Sequence, residues 1–196
     1  MIAIIDYKAG NIASVKNALE RLGKVCIVTS DPKEILSANG VLFPGQGRAG
    51  AAMAELRKTG IDTIIPRITA PFLGVCLGMQ LLSEYSEEDK TTCLGIFKGT
   101  CRKFPPTLKA PHLGWNSVEW TRESPLTVGT QDGAYFYFVH SYYVDASGAQ
   151  SIGRTRYGFD FPAIMQKDNF FAVQFHPEKS GIQGLRLLNN FCELCL

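Results

Sequence analysis

The chain has 196 residues, 45% of them apolar, which is enough to bury a core and too many for a disordered segment. Its 20 basic and 18 acidic side chains leave a net charge of +2, which argues against a nucleic-acid or anionic-membrane surface as the main theme. No run approaches the ~18 apolar residues of a membrane span, and Met1 to Asp6 has neither the basic start nor the apolar length of a secretion signal. The six cysteines are therefore expected to be reduced thiols of a cytoplasmic protein.

Ile2 to Ile5 is a short apolar run of the kind found in buried parallel strands. Gly10-Asn11 opens a helical pattern with Ile12, Val15, Ala18, Leu19 and Leu22 on one face, stopped by Gly23. Val25 to Val28 predicts a second strand, Asp31-Pro32 a short helix, and Val41 to Phe43 a third strand cut by Pro44-Gly45. Helices are expected over 49–58 and 61–67, a fourth strand over 71–75 and a helix over 77–84. From residue 94 the texture changes to short β-like runs at 94–97, 118–120, 134–139, 151–157, 163–166 and 170–174, before a closing helix at 184–194. The alternation predicts an α/β fold: an open, mostly parallel sheet with helices on both faces, plus a smaller antiparallel β region in the C-terminal half. With no repeat or linker in view, residues 1–196 read as one domain.

Gly74-Val75-Cys76-Leu77-Gly78 falls at a predicted strand-to-helix junction and has the form of a nucleophile elbow with Cys in place of Ser. The glycines would let strand and helix approach closely, and the helix amides would favour a thiolate. A buried structural cysteine between two glycines would carry the same letters. A thiol nucleophile needs a base, and there are only three histidines. His176 follows an apolar strand in Phe175-His176-Pro177-Glu178, with a carboxylate two residues on that could orient the ring. Neither His112 nor His140 has an acid two or three positions later.

Gly-Val-Cys-Leu-Gly-Met-Gln (74–80) together with Phe-His-Pro-Glu-Lys-Ser (175–180) resembles the class I glutamine amidotransferases. Asp6-Tyr7, Ala9-Gly10-Asn11, Ser14-Val15, Leu113-Gly114-Trp115-Asn116 and Phe138-Val139-His140-Ser141-Tyr142 narrow the resemblance to the glutaminase subunits of imidazole glycerol phosphate synthase, over essentially the whole chain. The resemblance implies that Cys76 attacks the amide of L-glutamine, that His176 moves protons and that Glu178 orients it. It also implies that the Leu77 amide is one oxyanion donor, that Gln80 and Glu88 contact substrate, and that the backbone at Ser141-Tyr142 holds the substrate carboxylate. Gln80 could instead cap or solvate, Glu88 could belong to a solvated charge run, and Tyr142 could be a packing aromatic.

Two departures stand out. The family usually has Pro-Gly-Val-Gly in the loop that completes the oxyanion hole, where this chain has Pro44-Gly45-Gln46-Gly47, and Lys8 stands where glycine is common. The sequence holds no phosphate-binding glycine loop or nucleotide fingerprint, so an ammonia acceptor must bind elsewhere. The resemblance implies a cyclase subunit with a (β/α)₈ barrel as partner in a heterodimer, with Asn11, Trp115 and Lys179 as candidates for the interface. No cofactor or metal is expected; Cys192-x-x-Cys195 is a single pair, short of a zinc ligand set. An amidotransferase serving another synthase and a non-enzymatic binding module are the alternatives.

Overall fold

The computed structural model describes residues 1–8, 11–146 and 150–196. Four short runs pair as parallel strands: β1 (Ile2–Ile5), β2 (Cys26–Thr29), β3 (Gly40–Phe43) and β4 (Phe72–Val75). β1, β3 and β4 are buried throughout, so they read as unbroken apolar letters and not as an alternation. Between the strands lie α1 (Ile12–Arg21), α2 (Pro32–Ser37), α3 (Ala49–Thr59) and α4 (Ile61–Ile64). The Asn11 side chain accepts from Ser14 N–H at the start of α1, and Asp31 accepts from Lys33 N–H at the start of α2. The Ala9-Gly10 turn expected before α1 lies outside the described residues.

After β4 comes α5 (Leu77–Leu81), which ends before the expected Glu84. The carbonyls left open at its end, on Leu81, Leu82, Ser83 and Glu84, accept from the N–H groups of Leu94, Phe97, Gly95 and Cys93. The same bonds correct the strand expected over 94–97: its amides close a helix and do not join a sheet.

The chain continues through β5 (Tyr85–Ser86), β6 (Thr91–Thr92), β7 (Thr100–Lys103), β8 (His112–Trp120), β9 (Ala134–His140), β10 (Tyr142–Asp145), β11 (Ser151–Tyr157), β12 (Phe159–Lys167), β13 (Phe170–Val173) and α6 (Gly181–Leu194). The main sheet runs β2-β1-β3-β4-β13-β12-β11-β8-β9; a second, smaller one runs β10-β7-β5-β6. β13 lies parallel to β4, with Ala172 opposite Gly74 and Val173 opposite Val75. Beyond β13 the pairing in the main sheet is antiparallel.

Each strand sends alternate side chains to two cores, as the strand pleat requires. Ala3, Ile5, Phe43, Phe72 and Ala172 pack on the side of α2, α3 and α4, against Ile35, Met53, Leu56 and Ile61. Ile2, Ile4, Leu42, Leu73 and Val173 pack on the other side, against Val15 and Leu19 of α1 and Leu187, Leu188 and Phe191 of α6. No helix among the described residues is long and apolar enough to cross a membrane.

Candidate active site

Cys76 sits between β4 and α5 with φ 54° and ψ −108°, a backbone state that non-glycine residues rarely adopt. The flanking glycines explain how the turn closes. A Cβ on Gly78 would lie 2.0 Å from Phe43 O, and one on Gly74 would lie 2.8 Å from Leu82 Cδ1. The helix is thereby pressed onto the end of β3 and the cysteine is held at the tip of the bend. Its side chain is largely buried, with Val139 O 3.9 Å and Gln174 Nε2 3.7 Å from the sulfur.

His176 stands just beyond β13, the strand paired with β4. Its Nδ1 meets Glu178 Oε1 at 2.8 Å, and the two side chains are 2% and 1% exposed. The carboxylate accepts the proton on Nδ1, which leaves Nε2 as the free edge of the ring, without a hydrogen-bond partner. Burial alone would push the imidazole down, but the Cys76 sulfur and the Glu178 carboxylate outweigh it and hold it up at about 10. Ser180 bolts the turn in place: its hydroxyl donates to His176 O (2.6 Å) and accepts from Tyr137 N–H (2.9 Å).

Cys76 and His176 line one cavity of about 560 Å³, together with Gln46, Gly47, Leu77, Gln80, Glu88, Ser141 and Tyr142. Of the residues singled out in the sequence, Gly45 lies behind this wall, packed against Leu77 and the Gly78 amide. The loop that carries it is held by Tyr7, whose buried hydroxyl donates to Pro44 O at 2.8 Å. One Glu88 oxygen accepts from Ala49 N–H at 2.8 Å, so this carboxylate is tied to the start of α3 and is not part of a freely solvated run. Gln80 uses its Nε2 inside the protein, toward Tyr142 O (3.0 Å) and Gln174 Oε1 (3.2 Å).

Asn11 and Lys179 lie outside the cavity lining, as does Trp115, which is 56% exposed and therefore no core residue. Lys8 is exposed and has φ 60°, a state glycine adopts freely. Cys192 and Cys195 are free buried thiols, and burial pushes them up to about 11 and about 12. Among the described residues no cluster of His, Cys, Asp or Glu could hold a metal ion.

Three residues of this neighbourhood escape the sequence reading: Gln174, His112 and His140. Gln174 is fully buried beside the sulfur, and the one signal for it is a polar letter closing an apolar strand. The two histidines have no acid close by in sequence, yet both are buried and His140 lines the cavity.

A model of the glutamine amidotransferase class-I family matches residues 3–194. The chain is 50% identical to an imidazole glycerol phosphate synthase subunit HisH 1 of Methanococcus maripaludis, covering 99% of this chain and all of that one. It is 48% identical to the subunit HisH of Methanocaldococcus jannaschii, with 99% and 100% coverage. In fold it is similar to a crystal structure of a glutamine amidotransferase, with TM-score 0.77 at 17% identity over 100% of this chain and 99% of that one. It is likewise similar to PurLQS from Thermotoga maritima, with TM-score 0.73 at 16% identity over 98% and 97%. By the match along nearly its whole length, the chain belongs to the class-I glutamine amidotransferase family and, within it, to the HisH subunits of imidazole glycerol phosphate synthase.

Proposed function

We propose that the chain hydrolyses L-glutamine to glutamate and ammonia through a Cys76 thioester and passes the ammonia to a cyclase subunit. The observation that carries this is one cavity shared by a cysteine on a strained bend and a histidine whose Nε2 is unpartnered while Glu178 holds Nδ1. The thiolate adds to the side-chain carbonyl, and the oxyanion is met by the Leu77 N–H and a peptide of the Gly45-Gln46-Gly47 loop. The C–N bond then breaks, and His176 gives its proton to the departing nitrogen, so that ammonia leaves and the acyl group stays on sulfur. Water attacks the thioester while His176 takes its proton; the C–S bond breaks, glutamate departs and the thiolate returns.

Gln80 and Glu88 line the wall that would receive the amino-acid part of the substrate, with Glu88 facing the ammonium and the Ser141-Tyr142 backbone facing the carboxylate. Gly47 has φ 112°, which leaves this loop free to turn a peptide toward the oxyanion, and the exposed Gln46 beside it would tune that turn. Ammonia released into water would be protonated and lost, which favours a docked acceptor. A (β/α)₈ barrel is the partner proposed, meeting the chain near Asn11, Trp115 and Lys179. The products there would be imidazole glycerol phosphate and an aminoimidazole carboxamide ribotide, in L-histidine biosynthesis.

The test is glutamate production by wild type and Cys76→Ala, each with the cyclase subunit. The substitution should abolish turnover and the trapped thioester; equal rates would remove Cys76 as nucleophile.

A further inference from the structure

His112 and His140 take no part in the triad, yet they are 4% and 5% exposed and face each other across the β8–β9 pair. His112 Nδ1 lies 3.0 Å from His140 Nε2, and His140 Nδ1 lies 2.7 Å from Tyr142 O. At the far end, Asn116 Nδ2 lies 3.2 Å from His112 Nε2.

The two ends of this chain fix every proton in it. Asn116 Oδ1 accepts from Ser117 N–H at 2.9 Å, and its Nδ2 donates to Arg156 O at 2.9 Å, so the amide cannot be reversed. The remaining Nδ2 hydrogen therefore makes His112 Nε2 an acceptor and puts the ring proton on Nδ1. That proton makes His140 Nε2 an acceptor in turn, and His140 donates from Nδ1 to the Tyr142 carbonyl, which can only accept. The same carbonyl accepts from Gln80, Gln80 also donates to Gln174, and Gln174 reaches the Cys76 sulfur.

We propose that Asn116, His112 and His140 are positioning residues, two neutral imidazoles locked in one tautomer, that hold the Tyr142 carbonyl and through it Gln80 and Gln174 against Cys76. Only the catalytic consequence rests on the glutaminase reading; the tautomers do not. Phe104, Phe138, Tyr157 and Phe161 enclose the pair. The titratable groups facing it are His176, whose charge disfavours protonation of His140, and the Tyr157 phenol, whose proton goes to Lys109 O. Burial pushes His112 down to about 4 and His140 down to about 3, so both rings stay neutral at working pH. A proton added to either ring would set two donors against each other.

The experiment combines ¹⁵N-histidine NMR on the protein with glutamine kinetics of Asn116→Leu and Asn116→Asp in the presence of the cyclase subunit. Wild type should show Nδ1–H tautomers on both rings. Asn116→Leu keeps the side-chain size but removes the donor; an Nε2–H form should appear and KM for glutamine should rise about tenfold, with kcat changed less than about twofold. Asn116→Asp should draw a second proton onto His112, keep Nδ1–H on His140 and raise KM less than Asn116→Leu does, its one cost being the donor lost to Arg156 O. Asn116 is half-buried and both replacements are close to it in size, so packing alone would leave the two variants alike. An Nε2–H tautomer on either wild-type ring, a wild-type KM in Asn116→Leu, or equal damage in both variants overturns the proposal. If Asn116→Leu fails to fold, the wild-type tautomers decide. Turnover that survives Cys76→Ala would instead defeat the glutaminase reading and leave the tautomer result standing.

Discussion

Replacing Glu178 by glutamine keeps the size of the side chain and removes the charge that holds His176. The carboxylate meets Nδ1 at 2.8 Å with almost no solvent access to either partner. A charge-assisted hydrogen bond is worth roughly 1.5–3 kcal/mol, and a pKa unit is about 1.36 kcal/mol. The imidazole should therefore fall by about 1–2 units from its value of about 10. The glutamine amide can also offer an N–H where Nδ1 needs an acceptor, so the ring loses its single orientation. By analogy with amide substitution in a serine triad, kcat should drop at least ~100-fold with KM changed little. The pH dependence of stability carries a second signature. The folded value lies above the unfolded one of about 6.5, so the stabilisation is complete below that pH and fades as pH rises toward about 10. In Glu178→Gln the loss should finish at correspondingly lower pH. Glutaminase assays with the partner, NMR titration of His176 and urea unfolding from neutral to alkaline pH measure all three. A variant with wild-type kcat, or with an unmoved imidazole titration, would refute the assignment of Glu178 as the orienting group.

Other perturbations act on the scaffold. Gly78→Ala places a Cβ 2.0 Å from Phe43 O; urea unfolding should show a loss of more than about 3 kcal/mol, and a loss below ~0.5 kcal/mol would contradict the close approach of α5. The depressed pKa values of His112 and His140 lie below the unfolded one, so they cost nothing above about pH 6.5 and destabilise the fold as pH falls below it. Each contributes at most about 1.4 kcal/mol per pH unit, so a urea midpoint that stays flat from pH 7 to about 5 would speak against buried neutral rings. Lys8→Gly relieves a φ of 60° at a site with only a 4.0 Å contact to Glu55; melting should show a gain of about 0.5–1 kcal/mol, and a loss would argue against strain there.

The parts of the fold that are legible in the sequence are those with a strong local cause. The elbow is visible because two glycines flank a cysteine between an apolar run and a helix start, and the structure shows both glycines in near contact with other elements. A smaller β region is expected from the change of texture, but the individual strands of the small sheet are not legible. Thr91-Thr92 and Thr100 to Lys103 are too short and too polar to show a period, and their pairing is decided by distant partners such as β10. β12 is legible only from Ala163 because Pro162 speaks against an inner strand; it is accommodated beside an irregular register at Gly153–Arg154. The His176–Glu178 contact is local and can be read from two letters. The Asn116–His112–His140 chain joins β8 to β9 and bends back along β8, so no spacing in the sequence announces it.

The parallel pairing of β4 with β13 has a consequence for the newborn protein. Cys76 is made early, but the strand that brings His176 beside it is synthesised much later. While the ribosome is still extending the chain, the thiol has no imidazole to work with, and contacts so distant along a polypeptide are slow to form. With Cys76 and His176 in their proposed roles, premature cleavage of glutamine by an unfinished polypeptide is prevented by the order of manufacture itself, without any inhibitor.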